Sequence, residues 1–413
     1  MKGPSLRRLG EYFAYLGPGL IVSMAYMDPG NYGTDIQSGA SFNYDLLWAV
    51  WLANTMAMVL QYLSGKLGIA TGRSLPELIR GSLKERKLVV PYWLGAEVAA
   101  AATDLAEYLG TVIALNLLFG VPLLYAAIFG AADVIILLAL TSERFRIIEY
   151  FFMLFVSVIS IGFLYQVVLI GPNLGDVALH SVTVSLNSDT VLLVVGIVGA
   201  TVMPHALFVH SWLTKNKLKS GDIDEKKRLL KLHLGENLFT LAIASLVNVA
   251  ILVSAAVAFY PKYSTVSTIS QAYQIMVPLF GYFAAAIFAV TLLSSGLASS
   301  MTGTLAGQAI MDGLLGTRVN KYARRLVTRV INVFPTTIAI LIGLNPLSLL
   351  VYSQVMLSLM IPLPMVPLIL YTRRRALMGE FVNRRSTTLL GVFSAVTIIA
   401  LNAYLLYSVL WPS

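Results

Sequence analysis

Cysteine is absent from the 413 residues, which excludes disulfides and thiolate metal ligands. Charge is scarce as well. Asp, Glu, Lys and Arg make up 12 % of the chain, against about 25 % in a soluble domain. No Gly-x-x-x-x-Gly-Lys-Ser/Thr loop occurs, so ATP is not the energy source. No period-two alternation of apolar and polar residues runs through the apolar stretches, and this excludes a membrane β-barrel. A nucleophile with its base, or a multi-histidine constellation, is missing from the middle of every apolar stretch, so a membrane enzyme has no basis here.

What the chain does have is apolar length. Hydrophobic residues reach 57 %, and spanning the hydrocarbon core takes about 20 of them per helix. Eleven stretches qualify: 12–34, 44–65, 89–115, 118–140, 147–170, 190–213, 234–259, 276–311, 327–343, 346–371 and 387–410. The expectation is an all-α membrane protein with eleven transmembrane helices in a single domain, 1–413. Lys2, Arg7 and Arg8 ahead of the first run resemble the start of a signal peptide. That run carries Asp28 and lacks a small-residue cleavage site, so it reads as the first span.

The formal charge of +9 invites a nucleic-acid reading, and its distribution removes it. With connections assigned alternately to the two sides, 28 of the 29 basic residues fall on one side, leaving only Lys262 on the other. The positive-inside rule accounts for this bias without a partner. It puts the N-terminus in the cytoplasm and the C-terminus outside, in a plasma (inner) membrane. No obligate protein partner is evident.

Two of the stretches are interrupted. Asp28-Pro29-Gly30-Asn31 breaks the first and Met203-Pro204-His205 the sixth. Proline removes a donor and clashes with the preceding turn, freeing carbonyls around Ala25–Tyr26 and around Ala200–Thr201. In lipid each freed carbonyl costs several kcal/mol unless it lines a cavity or binds a ligand. An ordinary proline kink is the plain alternative at Pro204. An offset of five spans reverses membrane direction, so 1–170 and 171–372 read as inverted five-helix repeats, with 373–413 an added eleventh helix. Discontinuous helices meeting at mid-membrane are how a secondary transporter builds its site.

Asp28 is the most informative residue, because an acid in mid-span marks an ion or proton path. With Asn31 and free carbonyls it would suit a hard cation such as Mg²⁺ or Na⁺. Met203 changes the selectivity, since a thioether favours Mn²⁺, Fe²⁺, Co²⁺ or Cd²⁺ over Ca²⁺ and Mg²⁺; the plain alternative is packing. Asp104 and Glu107, three apart, share a helix face and cannot both ionise cheaply, unless arginines of span 9 pair with them. His205 and His210, five apart, stand about 140° apart around a helix and make a poor two-histidine metal site. His205, beside the break, is the better proton carrier; His210 reads as an interhelical hydrogen-bond group, and His180 and His233 receive no role.

These motifs resemble the NRAMP family of divalent metal–proton symporters. The resemblance also rests on Ala102-Thr103-Asp104-Leu105-Ala106-Glu107, Gly303-Thr304-Leu305-Ala306-Gly307-Gln308, Arg324-Arg325-Leu326-Val327-Thr328-Arg329, Ser353-Gln354-Val355 and Met378-Gly379-Glu380-Phe381-Val382-Asn383. It implies a LeuT-type fold with the metal held by Asp28, Asn31 and Met203, joined by the carbonyls of Ala25 and Ala200 and by the Gln354 side chain. It further implies a proton pathway through Asp28, His205, Asp104, Glu107 and Glu97, with Arg325 and Arg329 as partners. Ala206 and Met360 depart from the family pattern, replacing Asn and Gln near the pathway.

The expected function is import of Mn²⁺ or Fe²⁺, and of Cd²⁺ or Co²⁺, by alternating access with H⁺ influx. No cofactor is implied, the metal being substrate. The alternative is an Na⁺-coupled organic-solute transporter on the same fold, which would need no thioether.

Overall fold

The computed structural model describes residues 17–130, 145–264, 269–317 and 341–411, with only scattered positions between 318 and 340. Every regular element among the described residues is helical. Seven helical stretches among the described residues are long and apolar enough to cross a membrane. Of the other four expected stretches, the second is a single helix, Leu47–Thr71, with polar residues along it. The fourth and ninth are described only in part. The first is two short helices.

That first stretch divides into α1 (Pro18–Ala25) and α2 (Pro29–Phe42), and is followed by α3 (Leu47–Thr71). A short helix, α4 (Leu75–Leu83), leads to α5 (Arg86–Phe119) and α6 (Leu123–Gly130). After α7 (Phe145–Ile170) and α8 (Leu174–Val182), the sixth stretch divides in the same way. It forms α9 (Val191–Val202) and α10 (Pro204–Lys215). The remainder comprises α11 (Ile223–Phe259), α12 (Ile269–Phe280), α13 (Tyr282–Ile310), α14 (Pro346–Met360), α15 (Pro362–Thr372) and α16 (Arg385–Leu410).

Proline sits at the first turn of α2 and of α10, where its missing N–H is lost on no partner. Both breaks are therefore helix starts as much as helix ends.

Burial sorts these helices into centre and rim. The most apolar window of α9–α10 is 94 % buried, against 22 % for α7 and 33 % for α16. Every residue of α1 is buried. Ile161, Leu164 and Val168 on α7, with Leu389, Phe393 and Val396 on α16, are exposed. Apolar surface of that kind faces lipid. The broken helices thus form the axis of the bundle, while α7 and α16 form its edge.

Polar contacts anchor α1 to its neighbours. Glu236 of α11, itself buried, accepts from the Gly17 amide at 2.7 Å and the Leu20 amide at 3.3 Å. A carboxylate there satisfies orphan donors of the helix and matches the sign of its dipole. Gly19 lacks a side chain because a Cβ would lie 2.9 Å from the Glu236 side chain. Thr302 and Ser295 of α13 donate to the carbonyls of Ile21 and Met27.

At the far end of α10, Lys215 pairs with Glu77 of α4, and Glu77 also accepts from the Ser74 amide at 2.7 Å. Burial pushes the Glu77 carboxyl up, but Lys215 and Ser74 outweigh it and hold it below its ordinary value of 4.5. A depressed folded pKa adds stability above the unfolded value, and that stability is lost as pH falls through the folded one. The thermal midpoint should therefore decline as the pH is lowered below 4.5, and Glu77→Gln should flatten that decline. An equal decline in the variant, read by fluorescence-detected gel filtration, would remove the pair from the stability of this end.

Candidate metal centre

Asp28 lies in the gap between α1 and α2 with extended backbone, and its carboxylate caps α2 by accepting from the Asn31 amide at 2.9 Å. It is fully buried, and Oδ2 has no hydrogen-bond partner. The other break is strained. Met203 has φ 42° and ψ 106°, a region costing about 1–3 kcal/mol for a residue with a side chain. It too is fully buried. Ala25 and Ala200 lie in the last turns of α1 and α9, where helix carbonyls lack intrahelical partners.

The Asn31 amide reports what this space can hold. With its nitrogen toward the break, it donates to Asp28 Oδ1 at 2.7 Å and to the Ala200 carbonyl at 3.2 Å, while its oxygen accepts from Asn248 Nδ2 at 3.0 Å. Turned over, its nitrogen faces Thr201 Oγ1 at 3.4 Å, and its oxygen meets the same two acceptors with no proton between them. Oxygens about 2.1 Å from one ion, at right angles, stand about 3.0 Å apart. In the turned orientation the Asn31 oxygen stands 2.7 Å from Asp28 Oδ1 and 3.2 Å from the Ala200 carbonyl, a spacing that suits a cation's ligands. The amide N–H satisfies those two acceptors in one orientation, and a divalent ion would bridge the oxygens in the other.

Gln354 of α14 reaches this cluster because two glycines let it. A Cβ on Gly30 would collide with the Gln354 amide group, and one on Gly199 would collide with the Gln354 backbone carbonyl. Its Nε2 donates to Ser353 Oγ at 3.0 Å, and its buried Oε1 has no partner. Among the described residues no group of three His, Cys, Asp or Glu could hold a metal. The donors expected from the sequence are of another kind: one carboxylate, amide and backbone oxygens, and a thioether.

Helix α5 runs behind both breaks. A Cβ on Gly110 would strike the Pro29 ring. Thr103 bonds His205 Nδ1 at 3.0 Å while its hydroxyl donates to Ala99 O at 3.1 Å. His205 Nε2 is a buried atom with no partner. Asp104 is buried beside Thr103. The Glu107 carboxylate packs against Gly303, whose added Cβ would lie 2.9 Å from it. Glu97 is partly exposed and accepts from Trp93 Nε1 at 3.1 Å within its own helix. Arg325 and Arg329 lie outside the described residues.

The model of the Nramp family, described as natural resistance-associated macrophage protein-like, matches residues 19–408. This chain belongs to the Nramp family. It is 44 % identical over 405 residues to the divalent metal cation transporter MntH of Deinococcus radiodurans, covering 98 % of this chain and 92 % of that one. To the MntH of Acidiphilium cryptum it is 43 % identical, covering 96 % and 90 %. A crystal structure of a mutant of the Eremococcus coleocola manganese transporter superposes with TM-score 0.87 at 31 % identity, over all of this Nramp chain and 90 % of that one. A complex of that transporter with an aromatic bis-isothiourea compound gives 0.86 at 32 %, over 97 % and 87 %. MhsT in complex with L-phenylalanine, at 13 % identity, TM-score 0.58 and 94 % and 98 % coverage, shares the fold alone. The fold of this Nramp protein is LeuT-type.

Three polar residues at the centre escape sequence reasoning. Asn248 meets the Asn31 amide in one orientation and Thr201 in the other, and nothing in the surrounding apolar sequence singles them out. Asp35 is buried in α2 with neither carboxylate oxygen partnered. It is a second acid within one span of Asp28, and an acid in a membrane span marks an ion or proton path, a signal the sequence did carry.

Gly199→Ala should force α9 and α14 apart, costing about 1–3 kcal/mol by overpacking and displacing Gln354. A lowered thermal midpoint is the expected result; an unchanged one would show that this contact does not set the Gln354 position.

Proposed function

We propose that this Nramp protein imports divalent transition metal ions, Mn²⁺ or Fe²⁺ foremost and Cd²⁺ or Co²⁺ as further substrates, by alternating access. The observation that carries this is the convergence of Asp28, Asn31 and Ala200 oxygens between two helix breaks, one of which holds Met203. Asp28, Asn31 and Met203 bind the ion, and the Ala25 and Ala200 carbonyls with Gln354 complete its shell. The thioether selects transition metals over Ca²⁺ and Mg²⁺. Family membership sets aside the organic-solute alternative and an enzyme. The metal is cargo, and no further cofactor enters the reading.

The eleven-span count, the inverted repeats 1–170 and 171–372, the added helix 373–413 and the plasma-membrane location belong to the same proposal. So does the orientation, with N-terminus cytoplasmic and C-terminus external, supported by the one-sided distribution of Lys and Arg. In that orientation the buried α1 closes the cytoplasmic side. Its release, with rocking of the helices around the fixed site, opens it.

Protons accompany the metal through Asp28, His205, Asp104 and Glu107. The unpartnered Nε2 of His205 accepts a proton near the break, and α5 leads it away along Asp104 and Glu107. Glu97 lies about two helical turns before Asp104 on α5, where its partial exposure suits one mouth of such a route. Arg325 and Arg329 act as counter-charges to it. Each elementary charge crossing 100 mV contributes about 2.3 kcal/mol, so an inside-negative potential drives a divalent ion inward by itself. Proton coupling adds to that force.

Asp28→Ala in proteoliposomes should abolish Mn²⁺ uptake; undiminished uptake by folded protein would overturn the site. Met203→Ala should leave Mn²⁺ uptake measurable while letting Ca²⁺ or Mg²⁺ compete at least tenfold better. Unchanged competition would take selectivity away from the thioether.

A further inference from the structure

Beyond the break, α10 carries a second arrangement suited to a metal. His210 lies seven residues past Met203, about 10 Å along the helix axis, and it meets His233 of α11. Both are fully buried, with ring centroids 4.9 Å apart and planes at 79°.

The hydrogen bonds fix the tautomer of each ring. His233 Nε2 lies 3.2 Å from the Tyr62 carbonyl, an oxygen that only accepts, so Nε2 carries the proton and Nδ1 the lone pair. His210 Nδ1 lies 2.9 Å from Gln61 Oε1; with the amide oxygen toward the ring, Nδ1 donates likewise and the lone pair is on Nε2. His210 Nε2 and His233 Nδ1 are both buried without a partner. An imidazole whose far N–H is held by a carbonyl oxygen, with a bare nitrogen on its other side, is how proteins prepare a histidine for a metal.

The spacing fits as well. A ligating nitrogen about 2.1 Å from an ion puts its ring centroid roughly 3.2 Å away, so two imidazoles at 90–110° stand roughly 4.5–5.2 Å apart. The rings are also held in place. Tyr62 stacks on His233 at 5.7 Å with planes 8° apart, and a Cβ on Gly65 would collide with the same imidazole.

We propose that His210 and His233 form a second, weak binding station for a divalent transition metal, on the cytoplasmic side of the Asp28 site, that receives the ion as it leaves. This rests on the reading of Asp28 and Met203 as the primary site. Weakness follows from the chemistry. Two neutral imidazoles bring no charge, no third histidine or acid among the described residues joins them, and the Lys66 ammonium lies 5.8 Å from the Tyr62 ring. A station of this kind holds an ion partly hydrated and lets it go.

The test uses untagged, full-length protein, with Mn²⁺ as the probe. The primary site, as read above, holds the ion by oxygen and sulfur, and loss of nitrogen modulation in His233→Gln assigns the signal in the electron spin echo of bound Mn²⁺ to the station and not to His205. In Asp28→Ala protein one weakly bound Mn²⁺ should remain and show imidazole nitrogen. Adding His233→Gln should remove that modulation and weaken the residual binding at least tenfold, whereas His180→Gln should change neither. If His233→Gln does not yield monodisperse protein, His210→Gln is read in its place with the same expectation. Absence of nitrogen modulation in folded Asp28→Ala protein, or its persistence after His233→Gln, would overturn the station. Tight binding that survives Asp28→Ala would instead overturn the primary-site reading, and the nitrogen signal would still be read on its own.

Discussion

The bundle is organised around one hydrogen-bonded pair, the Asp28 carboxylate and the Asn31 amide. A carboxylate cannot lie bare among apolar helices without a large desolvation cost, and a helix cannot begin there with its first amides unpaired. Each supplies what the other lacks. Because the acid is held as the cap of α2, the chain can stop α1 and restart three residues later at full burial. The gap between the two helices then becomes a place where oxygens meet.

The second break cannot use the same device, because Met203 has no oxygen to cap α10. It absorbs the turn as backbone strain at positive φ, and tight packing holds the strain in place. Gly199 allows α9 to approach the Gln354 backbone, and Gly30 allows the Gln354 amide to rest on α2. The two halves of the centre are therefore built from different physics, a charge–dipole cap on one side and enforced strain on the other. The proposed donor set of hard oxygens and a soft sulfur draws on both halves.

Much of this was legible in the sequence because membrane solvent makes errors expensive. Asp28, Pro29 and Pro204 stand out against apolar neighbours, and their positions fix both helix breaks to the residue. The basic residues give a consistent sidedness for the same reason. Contacts between distant helices were not legible. Asn248, Thr201 and the cap supplied by Glu236 depend on which faces of α9, α10 and α11 meet, and periodicity does not specify that for helices apolar all round. The histidines illustrate the limit. His205 and His210 were compared because they are near in sequence, whereas the ring that meets His210 comes from α11.

The anchoring of α1 also bears on turnover. Glu236, Thr302 and Ser295 all bind its main chain, so what they recognise is a helix end and two carbonyls. Such bonds exchange for bonds to water at a net cost of about 0.5–1.5 kcal/mol each. The buried Leu20, Ile21, Val22 and Met24 hold the segment in the apolar core as well. Side chains of that kind set how firmly α1 is held, while the main-chain tethers set where it sits along its own axis. Movement of α1 during turnover has to give up both, and a substitution in α1 that keeps its apolar volume leaves every tether in place.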